Sequence, residues 1–175
     1  SKEDFLNKKL NGFNSNDHNL EPRDVVLYGF GRIGRLVARE LIKQAGKGQQ
    51  LRLRAIVTRN ASDDSIIKRA ALLRNDSVHG AFKGSVIENL DNKSLIINGQ
   101  IVQMISSNSP EEIDYTNYGI NNALIIDNTG VFTTKEQLSR HLKAKGAEKV
   151  LLTAPGKEIP NIVYGINHFN LDLDT

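Results

Sequence analysis

Gly29-Phe30-Gly31-Arg32-Ile33-Gly34 is the stretch of this chain whose residue types and spacing point most directly to chemistry. Glycines spaced in this way hold phosphate through the main chain. Gly29 permits a tight turn, Gly31 has no side chain to keep a pyrophosphate off the backbone, and Gly34 lets a following helix press against a sheet. The helix start adds unpaired N–H groups and a partial positive charge. Other chemistry is scarce. The 175 residues include no cysteine, which excludes disulfides, thiolate catalysis and cysteine-held metals within them. The four histidines, His18, His79, His141 and His168, stand far apart, with no His-x-x-x-His or His-x-Glu spacing suited to zinc. No residue is assigned as catalytic and none as a metal ligand.

Three such glycines carry weight only between a strand and a helix. Both flanks are present. Val25, Val26 and Leu27 form a buried-strand run, and Ile33, Leu36, Val37, Leu41 and Ile42 recur at helical spacing. Taken alone, the motif also fits a glycine-rich turn that holds no ligand.

Bulk composition narrows the classes. Hydrophobic residues are 39% and charged residues 25%, the usual balance for one globular domain. Net charge is +3, and basic residues are interleaved with acids while aromatics are 6%. That pattern argues against a nucleic-acid surface and suits a phosphate-bearing small ligand. No apolar run approaches a membrane span, and the first residues lack the apolar centre of a secretory signal. A cytoplasmic protein is expected.

Residues 1–23 are polar and read as a partly ordered extension, although Phe5, Leu6, Leu10 and Phe13 could form one apolar stripe of a docking helix. The domain proper is expected over 24–175. A strand over 24–28, a helix over 32–45 and a strand over 51–57 form a βαβ unit with a right-handed crossover. A second helix is expected over 63–73, capped by Ser62 or Asp63. Short antiparallel strands follow at 84–87, 94–97 and 101–105, with Asn98-Gly99 as a hairpin turn. Residues 110–118 read as a short helix or irregular link, and 123–127 as a buried strand. A helix over 134–145 has Leu138 and Leu142 inward, Thr133 or Thr134 capping it with help from Glu136 and Gln137, and Gly146 ending it. Strands are expected at 149–152 and again at 162–166.

This order predicts a Rossmann-type α/β fold, a doubly wound and mostly parallel sheet with a small antiparallel insertion. Ligands of such sheets bind beyond the carboxyl ends of the strands. Four segments meet that rule, at residues 29–34, 58–60, 127–132 and 153–155.

The same segments carry a family resemblance. Gly29-Phe30-Gly31-Arg32-Ile33-Gly34-Arg35, Asp76-Ser77-Val78-His79-Gly80, Asn128-Thr129-Gly130-Val131-Phe132-Thr133-Thr134, Leu152-Thr153-Ala154-Pro155 and Gly165-Ile166-Asn167-His168 resemble, in order, landmarks of glyceraldehyde-3-phosphate dehydrogenases. The resemblance implies NAD or NADP as cofactor. It places Gly29, Phe30, Gly31, Arg32 and Ile33 along the pyrophosphate, with Arg32 adding charge-assisted hydrogen bonds. Thr129, Gly130 and Phe132 would border the adenosine and its ribose, and Thr153 the nicotinamide side. His79 and His168 read as structural hydrogen-bonding residues.

Two departures concern the cofactor. NAD-type members end the second strand in an aspartate that accepts from both ribose hydroxyls. This chain has Thr58 and then Arg59, which would not repel a 2′-phosphate and could pair with one, so relaxed NAD/NADP choice is expected. The family often places an arginine near the adenine in a Glu-Arg-Asp-Pro segment, where this chain has Asn108 in Ser107-Asn108-Ser109-Pro110. The family's chemistry uses a cysteine thiolate that forms a hemithioacetal with glyceraldehyde 3-phosphate, then hydride transfer and release of the acyl group to phosphate. That cysteine lies a little past the Gly-x-Asn-His landmark. We therefore expect the cofactor half of a longer dehydrogenase of glycolysis or gluconeogenesis, homotetrameric as a whole and inactive as this piece. An erythrose-4-phosphate dehydrogenase cofactor domain is the near alternative, and a stand-alone non-catalytic nucleotide-binding module the distant one.

Overall fold

A computed structural model describes residues 2–9, 21–46 and 49–170. The elements are α1 (Lys2–Lys9), β1 (Arg23–Tyr28), α2 (Arg32–Lys43), β2 (Leu51–Thr58), α3 (Asp63–Arg74), β3 (Asn75–Asp76), β4 (Gly80–Ala81), β5 (Val86–Asn89), β6 (Ser94–Ile97), β7 (Gln100–Ser106), β8 (Ala123–Asp127), α4 (Lys135–Ser139) and β9 (Ala147–Leu152). Seven strands form one sheet in the order β5-β6-β7-β2-β1-β8-β9. From β7 to β9 all neighbours are parallel, and β5, β6 and β7 pair antiparallel. From β1 the chain winds first toward β2 and β7, then back to β8 and β9. The fold is the doubly wound Rossmann type with a small antiparallel insertion.

The apolar runs follow from burial on both faces. Val25 and Leu27 of β1 pack with Leu53, Ile56, Ala38, Ile42, Ile66 and Ala70 beneath α2 and α3. Val26 and Tyr28 pack on the opposite face with Ala55, Val57, Ile125, Tyr115 and Ile120. Alternate side chains of one strand thus enter two cores, which is why the run is continuous rather than alternating. Each such Val, Leu or Ile contributes roughly 1.5–3 kcal/mol. Arg39 ties α2 to the end of α3 through a hydrogen bond to the Leu73 carbonyl (2.7 Å) and to β4 through one to the Gly80 carbonyl (3.0 Å).

Several expected elements are corrected. The strand at 101–105 is not confined to an antiparallel insertion. As β7 it also runs parallel beside β2, pairing Ala55 with Gln103 and Thr58 with Ser106. Its carboxyl end is therefore a further edge of the ligand crevice, one that the four segments above omit. Asn75–Asp76 and Gly80–Ala81, where no strand is expected, form β3 and β4, which pair antiparallel. The helix at 134–145 breaks after one α turn, and Arg140–Lys143 tighten into a 3-10 turn. That break turns Leu142 outward, 49% exposed, and puts His141 in the core instead. Residues 162–166 form no strand. Their hydrogen bonds are local, such as Ile166 N–H to the Val163 carbonyl (3.1 Å), and Tyr164 and Ile166 are exposed.

In the amino-terminal extension, α1 is a polar helix with Phe5 and Leu6 exposed. Leu10 and Phe13, the other half of the expected stripe, lie outside the described residues.

Candidate dinucleotide site

The winding reverses between β1 and β8, and ligands of such sheets bind beyond the carboxyl ends of the strands at that point. Gly29 leaves β1 with φ +91°, and a Cβ placed there would stand 2.8 Å from Thr129 Cγ2. The turns after β1 and β8 therefore touch across the switch point. A Cβ on Gly34 would stand 2.4 Å from the Gly29 carbonyl oxygen, so this glycine lets the first turn of α2 rest on the loop. Gly31 differs: among the described residues, nothing beyond its own neighbouring chain would lie within 4 Å of a Cβ there. Its φ of −73° is open to any residue. Neither packing nor backbone geometry demands glycine at position 31, whereas a close ligand would.

Helix α2 begins at this point with no side-chain cap. By contrast, Ser62 caps α3 through the Ser65 N–H, and Thr134 and Gln137 form a capping box on α4. Among the described residues the first N–H groups of α2 thus lack a side-chain cap, as an anion site requires.

The other expected residues fall into distinct situations. Phe30 is buried with its side chain in the core under α2, so only its main chain faces the loop. Ile33 is half exposed on the first turn of α2. Arg32 is turned toward the β3–β4 hairpin: its Nη2 donates to Ser77 Oγ (3.3 Å) and its Nε lies 3.8 Å from Asp76 Oδ2. Thr58 is buried, and its hydroxyl donates to the Asn60 carbonyl (2.8 Å). Arg59 is exposed. Asn108 is exposed past the end of β7. Thr153 donates its hydroxyl to the Asp127 carbonyl (3.1 Å) or to Asn128 Oδ1 (3.2 Å). Gly130 takes φ +68°, and Phe132 is half-buried against Tyr28, with ring centroids 6.1 Å apart.

His79 and His168 make local bonds. His79 Nδ1 lies 3.1 Å from Asp76 Oδ1, and His168 Nδ1 accepts the Gly165 N–H (2.9 Å). Asp76 is a hub of the hairpin. Backbone N–H groups of His79 and Val78, then the His79 ring and Arg35, hold its carboxyl well below the usual carboxylate range.

Sequence reasoning passed over one pair, Asp127 and His141. Both are buried completely, and Asp127 Oδ2 lies 2.9 Å from His141 Nε2. The two are 14 residues apart, and only the break in the helix after β8 brings them together. Burial, then the nearby Asp127 charge, push the Tyr28 hydroxyl up from its ordinary value. Among the described residues no cluster of three His, Cys, Asp or Glu could hold a metal, and no helix is long and apolar enough to cross a membrane.

This arrangement fits a dinucleotide. A family model described as "Glyceraldehyde 3-phosphate dehydrogenase, NAD binding domain" matches residues 23–135. A glyceraldehyde-3-phosphate dehydrogenase-like protein of Pseudomonas aeruginosa is 51% identical over 98% of this chain, which covers 38% of that protein. Glyceraldehyde-3-phosphate dehydrogenases of Ogataea parapolymorpha and Chlamydia pneumoniae are each 37% identical, over 83% and 86% of this chain and 40% and 42% of theirs. The chain thus spans about two fifths of the length of these relatives. The first match takes in nearly the whole chain, whereas the other two leave part of it unmatched. Strand order, glycine turn and matched sequence agree: the chain belongs to the glyceraldehyde-3-phosphate dehydrogenase family and carries its NAD-binding domain.

Proposed function

We propose that this chain is the cofactor half of a phosphorylating aldehyde dehydrogenase and binds NAD across the carboxyl ends of β1, β2, β7 and β8. The observation that carries this reading is Gly31, a glycine with open space where its Cβ would stand among the described residues, at the uncapped start of α2. When bound, NAD supplies the hydride acceptor for oxidation of an aldehyde held on a cysteine, with phosphate as the acyl acceptor. The residues of this chain bind and orient. Main-chain N–H groups of residues 31–33 take the diphosphate. Thr129, Gly130 and Phe132 flank the adenosine and its ribose, Asn108 the adenine, and Thr153 the nicotinamide side. Arg32 reaches the diphosphate by exchanging Asp76 and Ser77 for it, since it is half exposed and its 3.8 Å approach to Asp76 is loose.

With no cysteine among its 175 residues, the chain binds dinucleotide and does not oxidise glyceraldehyde 3-phosphate. Cytoplasmic location and a homotetrameric whole protein belong to the same proposal. Cofactor choice is relaxed, because β2 ends in a threonine whose hydroxyl serves its own turn and is followed by an exposed arginine. Calorimetric titration with NAD and NADP tests the reading. NADP should bind within about tenfold of NAD, or some 1.4 kcal/mol, and Arg59→Ala should weaken NADP more than NAD. Absence of heat with either dinucleotide at millimolar levels overturns the binding site. A preference for NAD of a hundredfold or more overturns only the relaxed choice.

A further inference from the structure

We propose that His141 is a positioning residue for the dinucleotide, acting through Asp127 on the turn at residues 128–131; the inference rests on the binding reading above. Asp127 ends β8 at the switch point. Its Oδ1 accepts the Thr129 N–H (2.7 Å) and the Thr129 hydroxyl (2.7 Å). The same hydroxyl oxygen accepts the Val131 N–H (3.1 Å). Both protein contacts of Oδ1 therefore hold the turn that touches Gly29. The second oxygen, Oδ2, faces His141 Nε2 at 2.9 Å. A carboxylate can only accept, so the imidazole carries its proton on Nε2 and donates it.

The cost of this arrangement points to its purpose. Both side chains are fully buried, and among the described residues the buried His141 Nδ1 has no hydrogen-bond partner. An apolar residue of similar volume would fill the space without leaving a polar atom unsatisfied. What histidine adds is a donor to Asp127. The ring is also held at its edges: Tyr28 packs at 4.6 Å and 81°, and Phe132 at 5.4 Å and 84°. Phe132 closes the turn that Asp127 organises. The imidazole thereby fixes Thr129, Gly130 and Phe132 together, although it touches no ligand itself.

His141→Gln and His141→Leu separate positioning from packing, because glutamine can place an N–H donor near the Nε2 position whereas leucine only fills the space. Two readouts are needed, NAD affinity by calorimetry and amide hydrogen exchange at Thr129 and Val131. His141→Leu should weaken NAD at least tenfold and speed exchange at both amides, with Val26 and Leu27 in β1 unchanged. His141→Gln should return both readouts to within about threefold of the parent chain. NAD binding by His141→Leu equal to that of the parent, or a glutamine variant as poor as the leucine one, overturns the inference and leaves the binding site standing. No NAD binding by the parent chain overturns both. Should His141→Leu not fold, the parent chain decides by NMR. The imidazole must show its proton on Nε2, with a resonance that shifts on NAD saturation. A proton on Nδ1, or an unmoved resonance, is the contrary result.

Discussion

Gly31 and Gly34 belong to one motif, yet packing within the protein constrains only the second. Gly34→Ala forces a Cβ to within 2.4 Å of the Gly29 carbonyl oxygen. Overpacking of that kind costs about 1–3 kcal/mol, and a thermal melt should show it. Gly31→Ala adds a methyl group to open space at an ordinary φ. Its melting should match the parent to within about 0.5 kcal/mol, while NAD affinity falls at least tenfold. A Gly31→Ala chain that melts early would mean that the glycine serves the fold. The turn at Gly29 and the helix contact at Gly34 are legible in the sequence, because each needs a missing side chain at a set spacing. The partners of Arg32 and His141 are not. Ser77 is 45 residues beyond Arg32 and Asp127 is 14 residues before His141, and no local pattern pairs them.

At the scale of single elements, caps and turns read well and helix lengths less so. Of the two candidate caps for α4, Thr133 and Thr134, it is Thr134 that serves, in a full capping box with Gln137. Thr134→Ala should cost about 1 kcal/mol, or a fall in Tm of about 2–4 °C. The break at Arg140 was hidden because Leu138 and Leu142 keep helical spacing, and only the docking of His141 against Asp127 shows which residue turns inward. The β3–β4 hairpin hangs on Asp76, whose carboxyl is depressed chiefly by the His79 and Val78 N–H groups. A depressed carboxyl stabilises fully above its unfolded value, here 3.8, and loses that contribution as pH falls through the folded value. Asp76→Asn should therefore be less stable than the parent at pH 7, and the difference in Tm should shrink as pH drops below about 3.8. A gap that stays constant into acid would show that the charge is not what holds the hairpin.

For the molecule as a whole, alternating strands and helices were enough to foresee the doubly wound sheet, because continuous apolar runs such as Val25-Val26-Leu27 fit only strands covered on both faces. The sequence did not show that β7 serves both the antiparallel hairpin and the parallel sheet. Its pairing with β2 is a long-range contact that hairpin chemistry at Asn98-Gly99 does not report. The apparent strand at 162–166 failed for a related reason, since apolar residues alone supply no neighbouring strand edge to pair with. A ligand held only by the folded state raises stability by mass action. NAD at a hundred times its Kd should add about 2.7 kcal/mol, which is about 5–11 °C in Tm for a chain of this size. Glyceraldehyde 3-phosphate with NAD should give no NADH absorbance, and turnover by the purified chain would contradict a purely cofactor-binding role.

The most direct test is a crystal structure of the chain grown with NAD. The diphosphate should lie against residues 31–33, with phosphate oxygens about 3 Å from their N–H groups and the Arg32 guanidinium drawn from Asp76 toward it. A dinucleotide bound at any other surface, or a diphosphate held by side chains with the start of α2 untouched, would contradict the account.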